Sequence, residues 1–268
     1  MRLGISTASF YPVVTTENAF VPIKSLGCDV AEVFLNSFCE YEGPYLDAAV
    51  KNCAAAGVSV HSIHPLTNQF EPELFNRNPR VKQDALQIYR KVLAAGKRLG
   101  AKYYTFHGAP KLKKLPYRHN YEYLAECLNG LMPEARAAGL SIAYETVHWC
   151  FFSEPDYFSR LKPLCPDLRG TLDVKQAALS GIPIGEYIDA MAGRIATVHA
   201  CDLTRDGETA LPGRGVLDFA DVARRLKRAG FDGPVMLEVY VKDYKDYQNF
   251  SELKEALGFL GREFMTRE

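Results

Sequence analysis

Four short apolar runs in this sequence each deliver an ionisable side chain at or near their end. They are Ala143-Tyr144-Glu145, Thr171-Leu172-Asp173, Val198-His199-Ala200-Cys201-Asp202 and Leu237-Glu238-Val239. If the runs converge, Glu145, Asp173, His199 and Glu238 share one small space. Three carboxylates do not gather in ionised form without a compensating positive charge, because like charges at contact raise one another's pKa. A divalent cation supplies that charge. Three oxygen donors and one nitrogen suit Mn²⁺, Mg²⁺, Co²⁺ or Zn²⁺ rather than a metal that prefers thiolates.

Convergence requires a particular fold. Eight β-type runs recur along the chain: Leu3–Ser6, Val30–Phe34, Val58–His61, Lys102–His107, Leu140–Glu145, Arg169–Asp173, Ala196–Ala200 and Val235–Val239. Segments long enough for a helix and its loops separate them, which is the grammar of βα units around a parallel sheet. The clearest helix is Pro79–Leu99, with Val81, Ala85, Ile88, Val92 and Leu99 at helical spacing and Gly100 as the terminator. Tyr121–Ala138 before Gly139 and Phe219–Ala229 before Gly230 repeat the pattern. Eight such units in 268 residues predict an α/β fold of the (β/α)8 TIM-barrel type, as one domain over 1–268. A doubly wound sheet would carry a glycine-rich phosphate loop after its first strand, and Ser6-Thr7-Ala8-Ser9-Phe10 is not one. In a barrel the C-terminal strand ends meet at one mouth, so the four ionisable residues would face a common centre.

The motifs resemble those of the xylose-isomerase-like TIM-barrel superfamily, which includes keto-sugar 3-epimerases, sugar isomerases, inositol-pathway enzymes and apurinic-site endonucleases. Tyr144-Glu145-Thr146, Leu172-Asp173-Val174, Val198-His199 with Asp202, Pro212-Gly213-Arg214-Gly215 and Leu237-Glu238 carry the resemblance, which covers nearly the whole chain. It implies that Glu145, Asp173, His199 and Glu238 hold one metal, and that Glu145 and Glu238 also act as acid and base. Arg205, six residues after His199, resembles a substrate-contacting arginine of the epimerase branch. In the endonuclease branch, histidines closing the third and fourth strands join the strand-five glutamate around further ions. Carried across, this gives a second metal set of His61, His107 and Glu145; the other reading of His61 and His107 is polar contact with substrate.

The sequence also departs from the family's patterns. Asp173-Val174-Lys175-Gln176 lacks the histidine of the endonuclease D-x-x-H motif, and Gly207-Glu208-Thr209 lacks that branch's paired aspartate and histidine. The third endonuclease metal would have no ligands here. Gln176 stands where epimerases place a substrate-holding histidine, and Val147–Phe152 has no counterpart of a further epimerase glutamate. Lys175 could pair with a mouth carboxylate, contact substrate oxygens or form a Schiff base. Trp149 lies in an aromatic loop with Phe151 and Phe152 that could cover a bound sugar or simply pack. His64, His119 and His148 are read as ordinary structural histidines.

Composition narrows the function. Lys+Arg and Asp+Glu both number 32, so no basic excess signals a nucleic-acid partner. No apolar run reaches the length of a membrane span, and Met1–Ser6 does not open a secretory signal. The expectation is a cytoplasmic protein, monomeric or homo-oligomeric. Seven widely spaced cysteines without a C-x-x-C point to reduced thiols. The expected activity is metal-dependent isomerisation or epimerisation of a sugar, sugar phosphate or polyol ketone through an enediolate. Arg205 and Arg214 lie where TIM barrels often bind phosphate. The rivals are an inosose-type dehydratase on the same site, an apurinic-site endonuclease-like metal phosphodiesterase and a non-catalytic sugar-binding barrel.

Overall fold

A computed structural model describes residues 1–66, 70–111 and 118–265 of the protein. Its strands are β1 (Arg2–Ser6), β2 (Val30–Leu35), β3 (Ser59–Pro65), β4 (Tyr103–Phe106), β5 (Ser141–Glu145), β6 (Arg169–Asp173), β7 (Ile195–Ala200), the short pair β8 (Asp202–Leu203) and β9 (Thr209–Ala210), and β10 (Pro234–Leu237). Eight of them close into a barrel in the order β1-β10-β7-β6-β5-β4-β3-β2, and every neighbouring pair is parallel. This is the (β/α)8 TIM barrel that the spacing predicts. The helices are α1 (Phe20–Ser25), α2 (Gly43–Ala56), α3 (Pro79–Leu99), α4 (Tyr121–Ala137), α5 (Pro155–Leu164), α6 (Val174–Leu179), α7 (Ile184–Met191), α8 (Phe219–Arg228) and α9 (Ser251–Met265).

Both faces of a barrel strand are covered, so its residues need not alternate in polarity. Every residue of β10 is buried, as are all but the first of β5, β6 and β7. The helices supply the outer cover, and α3 shows how. Asn78 caps it by accepting from Arg80 N at 3.0 Å, Pro79 fits the first turn, and Gly100 ends it in the left-handed region at φ 72°. Its stripe of Ala85, Tyr89, Val92, Leu93, Gly96 and Leu99 is buried. Gly96 permits a close approach to the barrel: a methyl there would stand 2.7 Å from both Ile63 Cδ1 and Leu140 Cδ2.

That contact reaches into the barrel. Ile63 is seated under α3, and side chains alternate across a strand, so the next residue, His64, points the other way, inward at the mouth. β3 therefore continues to Pro65, four residues beyond the run Val58–His61 that the sequence pattern marks. Polar Ser62 and His64 look like a loop in one dimension. In the barrel they are interior residues whose partners come from other strands. β4 and β10 end one residue before His107 and Glu238, which open the following loops.

The pair β8–β9 was not expected from the sequence. Buried Asp202 begins it and accepts backbone N–H groups from Leu203 and Leu217 on one oxygen (2.9 and 3.0 Å) and Gly213 and Gly215 on the other (3.1 and 3.0 Å). The Pro212–Gly215 motif is thus a loop wrapped around a carboxylate. Among the described residues no helix is long and apolar enough to cross a membrane. All seven cysteines are free thiols, and Cys39 is the exposed one.

Replacing Gly96 by valine should overpack the α3–barrel contact and lower stability by about 1–3 kcal/mol. Urea denaturation followed by circular dichroism measures this, and an unchanged midpoint would contradict the close approach.

Candidate metal centre

Glu145 and Asp173 are the last residues of β5 and β6, His199 is next to last in β7, and Glu238 follows β10. The register sets Asp173 beside His199, and His199 beside Met236 two positions before Glu238. One ligand atom from each of Glu145, Asp173, His199 and Glu238 lies within 4.8 Å of the others. His199 Nδ1 is 2.9 Å from Glu145 Oε1 and 3.1 Å from Glu238 Oε2. Asp173 caps α6 by accepting from Gln176 N at 2.8 Å, which fixes the carboxylate at the strand end.

A second cluster adjoins the first. His64 Nε2 is 3.0 Å from His107 Nε2 and 3.6 Å from Glu145 Oε2, and His107 Nε2 is 2.5 Å from Glu145 Oε2. Glu145 faces both clusters, one oxygen to each. The reading of His61, His107 and Glu145 as a second metal set is corrected here, because His61 is at the other end of the barrel. Its Nε2–H donates to the carbonyl of Ala196, near the start of β7, at 3.1 Å, and its ring packs on Tyr103 at the start of β4. Burial lowers its pKa to about 4, with Lys102 and Arg2 nearby, so it is a neutral plug of the N-terminal end. The substrate contact expected of His61 falls with it. His64, three residues on, takes the mouth position.

Glu32, in the middle of β2, is the other residue that the sequence reading passed over. It is fully buried. Its Oε2 accepts from Ser62 Oγ and Thr105 Oγ1, both at 2.8 Å, and lies 3.1 Å from His199 Nε2. The signal was present: a carboxylate inside the apolar run Val30–Leu35 needs a buried partner, since an unpaired buried charge is very costly. Glu71 belongs to the same environment. It accepts from Tyr104 Oη at 2.5 Å, Gly108 N at 2.7 Å and His107 N at 2.8 Å, which anchors the backbone that carries His107. Burial pushes its carboxyl up to about 8 despite these bonds.

The electrostatics follow from this crowding. Burial alone would raise the carboxyls of Glu32, Glu145 and Glu238, but the imidazoles beside them outweigh it and hold all three below the usual range. Burial works against charge on His64 and His199, yet the surrounding carboxylates raise His64 to about 10 and hold His199 well above its ordinary value. For Asp173, burial wins over Lys175 and the pKa rises to about 6. Protons on the imidazoles therefore do the neutralising that a cation could do.

The donor set fits a divalent ion. Glu32 Oε1, His64 Nδ1 and Glu145 Oε2 are buried without a hydrogen bond. Each nevertheless has an opposite group within 3.6 Å. Imidazole with carboxylate is a donor set for Zn²⁺, Mn²⁺ or Co²⁺.

A cavity of about 330 Å³ opens over the clusters, and Glu145, Asp173, Glu238, His64 and His107 line it. Trp149 lines its wall with its ring edge-on to His107 at 5.9 Å between centroids. Lys175 also lines it, buried, with Nζ 3.5 Å from Asp173 Oδ2 and 3.2 Å from Tyr240 Oη. Burial opposes its charge, but Asp173 and Glu238 hold its pKa well above the ordinary value, which favours the ion pair over a Schiff base. Gln176 lines the cavity too, with its side-chain oxygen accepting from His148 Nδ1 at 2.5 Å. Arg205, expected at the substrate, is instead exposed between β8 and β9 and does not line the cavity. Arg214 is held away by Glu252 and Glu255 at 3.1 and 2.8 Å. Arg214 lies on the loop that Asp202 holds through Gly213 and Gly215, after the β8–β9 turn that carries Arg205.

The family model of the xylose isomerase-like TIM barrel matches residues 20–262. The chain belongs to that family. A relative in Mycobacterium tuberculosis (strain ATCC 25618 / H37Rv), described as an uncharacterized protein, is 27% identical over 97% of this chain and 96% of its own. Solved structures show the same xylose isomerase-like fold at lower identity. The IOLI protein with a bound zinc atom has a TM-score of 0.81 at 18% identity, covering 99% of this chain and 100% of its own. D-psicose 3-epimerase with D-tagatose from Clostridium cellulolyticum H10 gives 0.79 at 15%, covering 98% and 99%. The E. coli 3-keto-D-glucoside 4-epimerase YcjR gives 0.77 at 16%, covering 98% and 99%.

Because His64 and His199 carry protons that a metal must displace, metal uptake should release protons, and apparent affinity should rise with pH through the neutral range. Calorimetry of Zn²⁺ binding in two buffers of different ionisation enthalpy measures the release; equal heats in both would contradict it. His64→Ala should weaken binding of a second ion, whereas His61→Ala should leave metal affinity unchanged.

Proposed function

We propose that this family member is a divalent-metal-dependent isomerase or epimerase that moves a proton at the carbon next to the carbonyl of a sugar or polyol ketone. One observation carries the reading: two glutamates from separate strands, Glu145 and Glu238, flank the same His199 nitrogen and open into one cavity. Glu145, Asp173, His199 and Glu238 would hold the ion, and His64 and His107 with Glu145 would hold a second. A bound divalent cation would polarise the substrate's oxygens and stabilise the negative charge that deprotonation creates.

The chain's own residues do the rest. One glutamate accepts the proton, and the other returns it. Return to the same carbon on the opposite face inverts that centre, and return to the neighbouring carbon interconverts aldose and ketose. Lys175, held by Asp173 and Tyr240, presents an ammonium donor to a substrate oxygen. Tyr11, Phe34, Trp149 and Tyr240 give the cavity apolar walls that exclude water and match the C–H faces of a sugar. Among the described residues Lys175 is the one lysine or arginine lining the cavity, and Asp173 neutralises it. That favours an uncharged substrate over a sugar phosphate.

The test is solvent exchange. Ketoses, ketose phosphates and inosose incubated with the protein and Mg²⁺ or Zn²⁺ in D₂O should show deuterium beside the carbonyl for at least one substrate by NMR. Glu145→Gln and Glu238→Gln should each lower that exchange by about 10²–10⁴-fold. Tight sugar binding without exchange in any case would replace the enzyme by a sugar-binding barrel.

A further inference from the structure

Glu32 has no role in the proton transfer just described, yet it is fully buried at the mouth. We infer that Glu32 is a positioning residue whose single carboxylate sets the aim of both His199 and His64. This inference rests on the metal reading of the site.

Each imidazole has one nitrogen toward a candidate metal cluster and the other toward Glu32. His199 turns Nδ1 to Glu145 and Glu238 and Nε2 to Glu32 Oε2 at 3.1 Å. His64 turns Nε2 to His107 and Glu145, and its Nδ1 has Glu32 Oε1 as its nearer carboxylate at 3.4 Å, with Glu238 Oε1 at 3.6 Å. A neutral ligating imidazole has one N–H, and the acceptor it meets decides which nitrogen keeps the lone pair for the metal. Glu32 offers one oxygen to each ring. His199 is thereby committed to ligation through Nδ1 and His64 through Nε2.

The carboxylate is itself immobilised. Ser62 Oγ and Thr105 Oγ1 donate to Oε2 from the two strands that follow β2 in the barrel, each at 2.8 Å. With Oε2 so occupied, Oε1 alone remains for His64. One alternative competes: Glu32, His64 and Glu238 also offer ligand atoms within 4.8 Å of one another, and Glu32 could itself ligate there. Ligation through Oε1 would leave Oε2 on His199, so the two readings differ in whether losing the Glu32 carboxylate costs a whole ion or only affinity.

Glu32→Gln separates the two. A carboxamide has one acceptor oxygen, so it can serve only one ring. The variant should bind Zn²⁺ about 10–100-fold more weakly in a chelator competition, with the number of ions per chain unchanged. The visible spectrum of the Co²⁺-loaded variant should shift, which a purely structural role would not produce. Affinity within twofold of the unaltered protein, or loss of one whole equivalent of metal, overturns the inference. Should Glu32→Gln fail to fold, Ser62→Ala/Thr105→Ala decides: it leaves the charge in place, frees the carboxylate and should weaken Zn²⁺ about tenfold. No change in that variant overturns the inference. If the unaltered protein binds no divalent metal, the metal reading fails first, and the role of Glu32 goes with it.

Discussion

The structure turns on the burial of like charges. Glu32, Glu145, Asp173 and Glu238 are drawn into one enclosed space by strands that the barrel forces to converge. Removing a carboxylate from water costs several kcal/mol unless a partner repays it. The partners are His64, His107, His199 and Lys175, and each touches at least one of these acids. The arrangement pairs acids with bases, and the contacts that neutralise the buried charge gather donors of the kind a divalent cation takes. A hydrophobic replacement would be easier to bury, but it could not present donors to a metal or take a proton from a substrate.

The supporting contacts lie one layer beneath. Glu71 fixes the backbone of His107 and Gly108 from below, Asp202 wraps the loop after β7, and Thr146 locks Asp173 by accepting its N–H at 2.9 Å. In each case backbone N–H groups at the mouth, with no strand to pair with, find a side-chain acceptor. These residues carry no proton in the proposed reaction. They make a set of loops behave as an extension of the barrel, so that positions set by the strand ends are not lost within a residue or two.

How much could be read from the sequence follows from this geometry. The convergence of the quartet was legible because β5, β6, β7 and β10 each present an ionisable residue at or near an apolar run's end, where one-dimensional pattern and three-dimensional position agree. α3 was legible to the residue because Pro79 and Gly100 punctuate it. β3 was not, since a strand entering a polar mouth loses the apolar pattern that marks it, and so His61 was preferred to His64. Glu32 is hidden for the opposite reason: it sits inside an apolar strand pattern, and its partners Ser62, Thr105 and His199 come from other strands. Arg205 was misplaced because its distance from His199 in sequence says nothing of the β8–β9 turn between them.

Glu145 joins the two clusters, and its two oxygens carry a consequence for the chemistry. Oε1 faces His199, while Oε2 faces His107 and His64. If only the quartet holds an ion, Oε2 stays with the two histidines and would be left to act as the base. If the histidine cluster is filled as well, both oxygens are engaged and Glu145 loses basicity. The proton would then have to be taken by Glu238, whose Oε1 is 3.6 Å from His64 Nδ1 and outside the histidine cluster. In the proposed reaction, occupancy of the second cluster would select which glutamate is the base, and with it the face of the substrate from which the proton leaves.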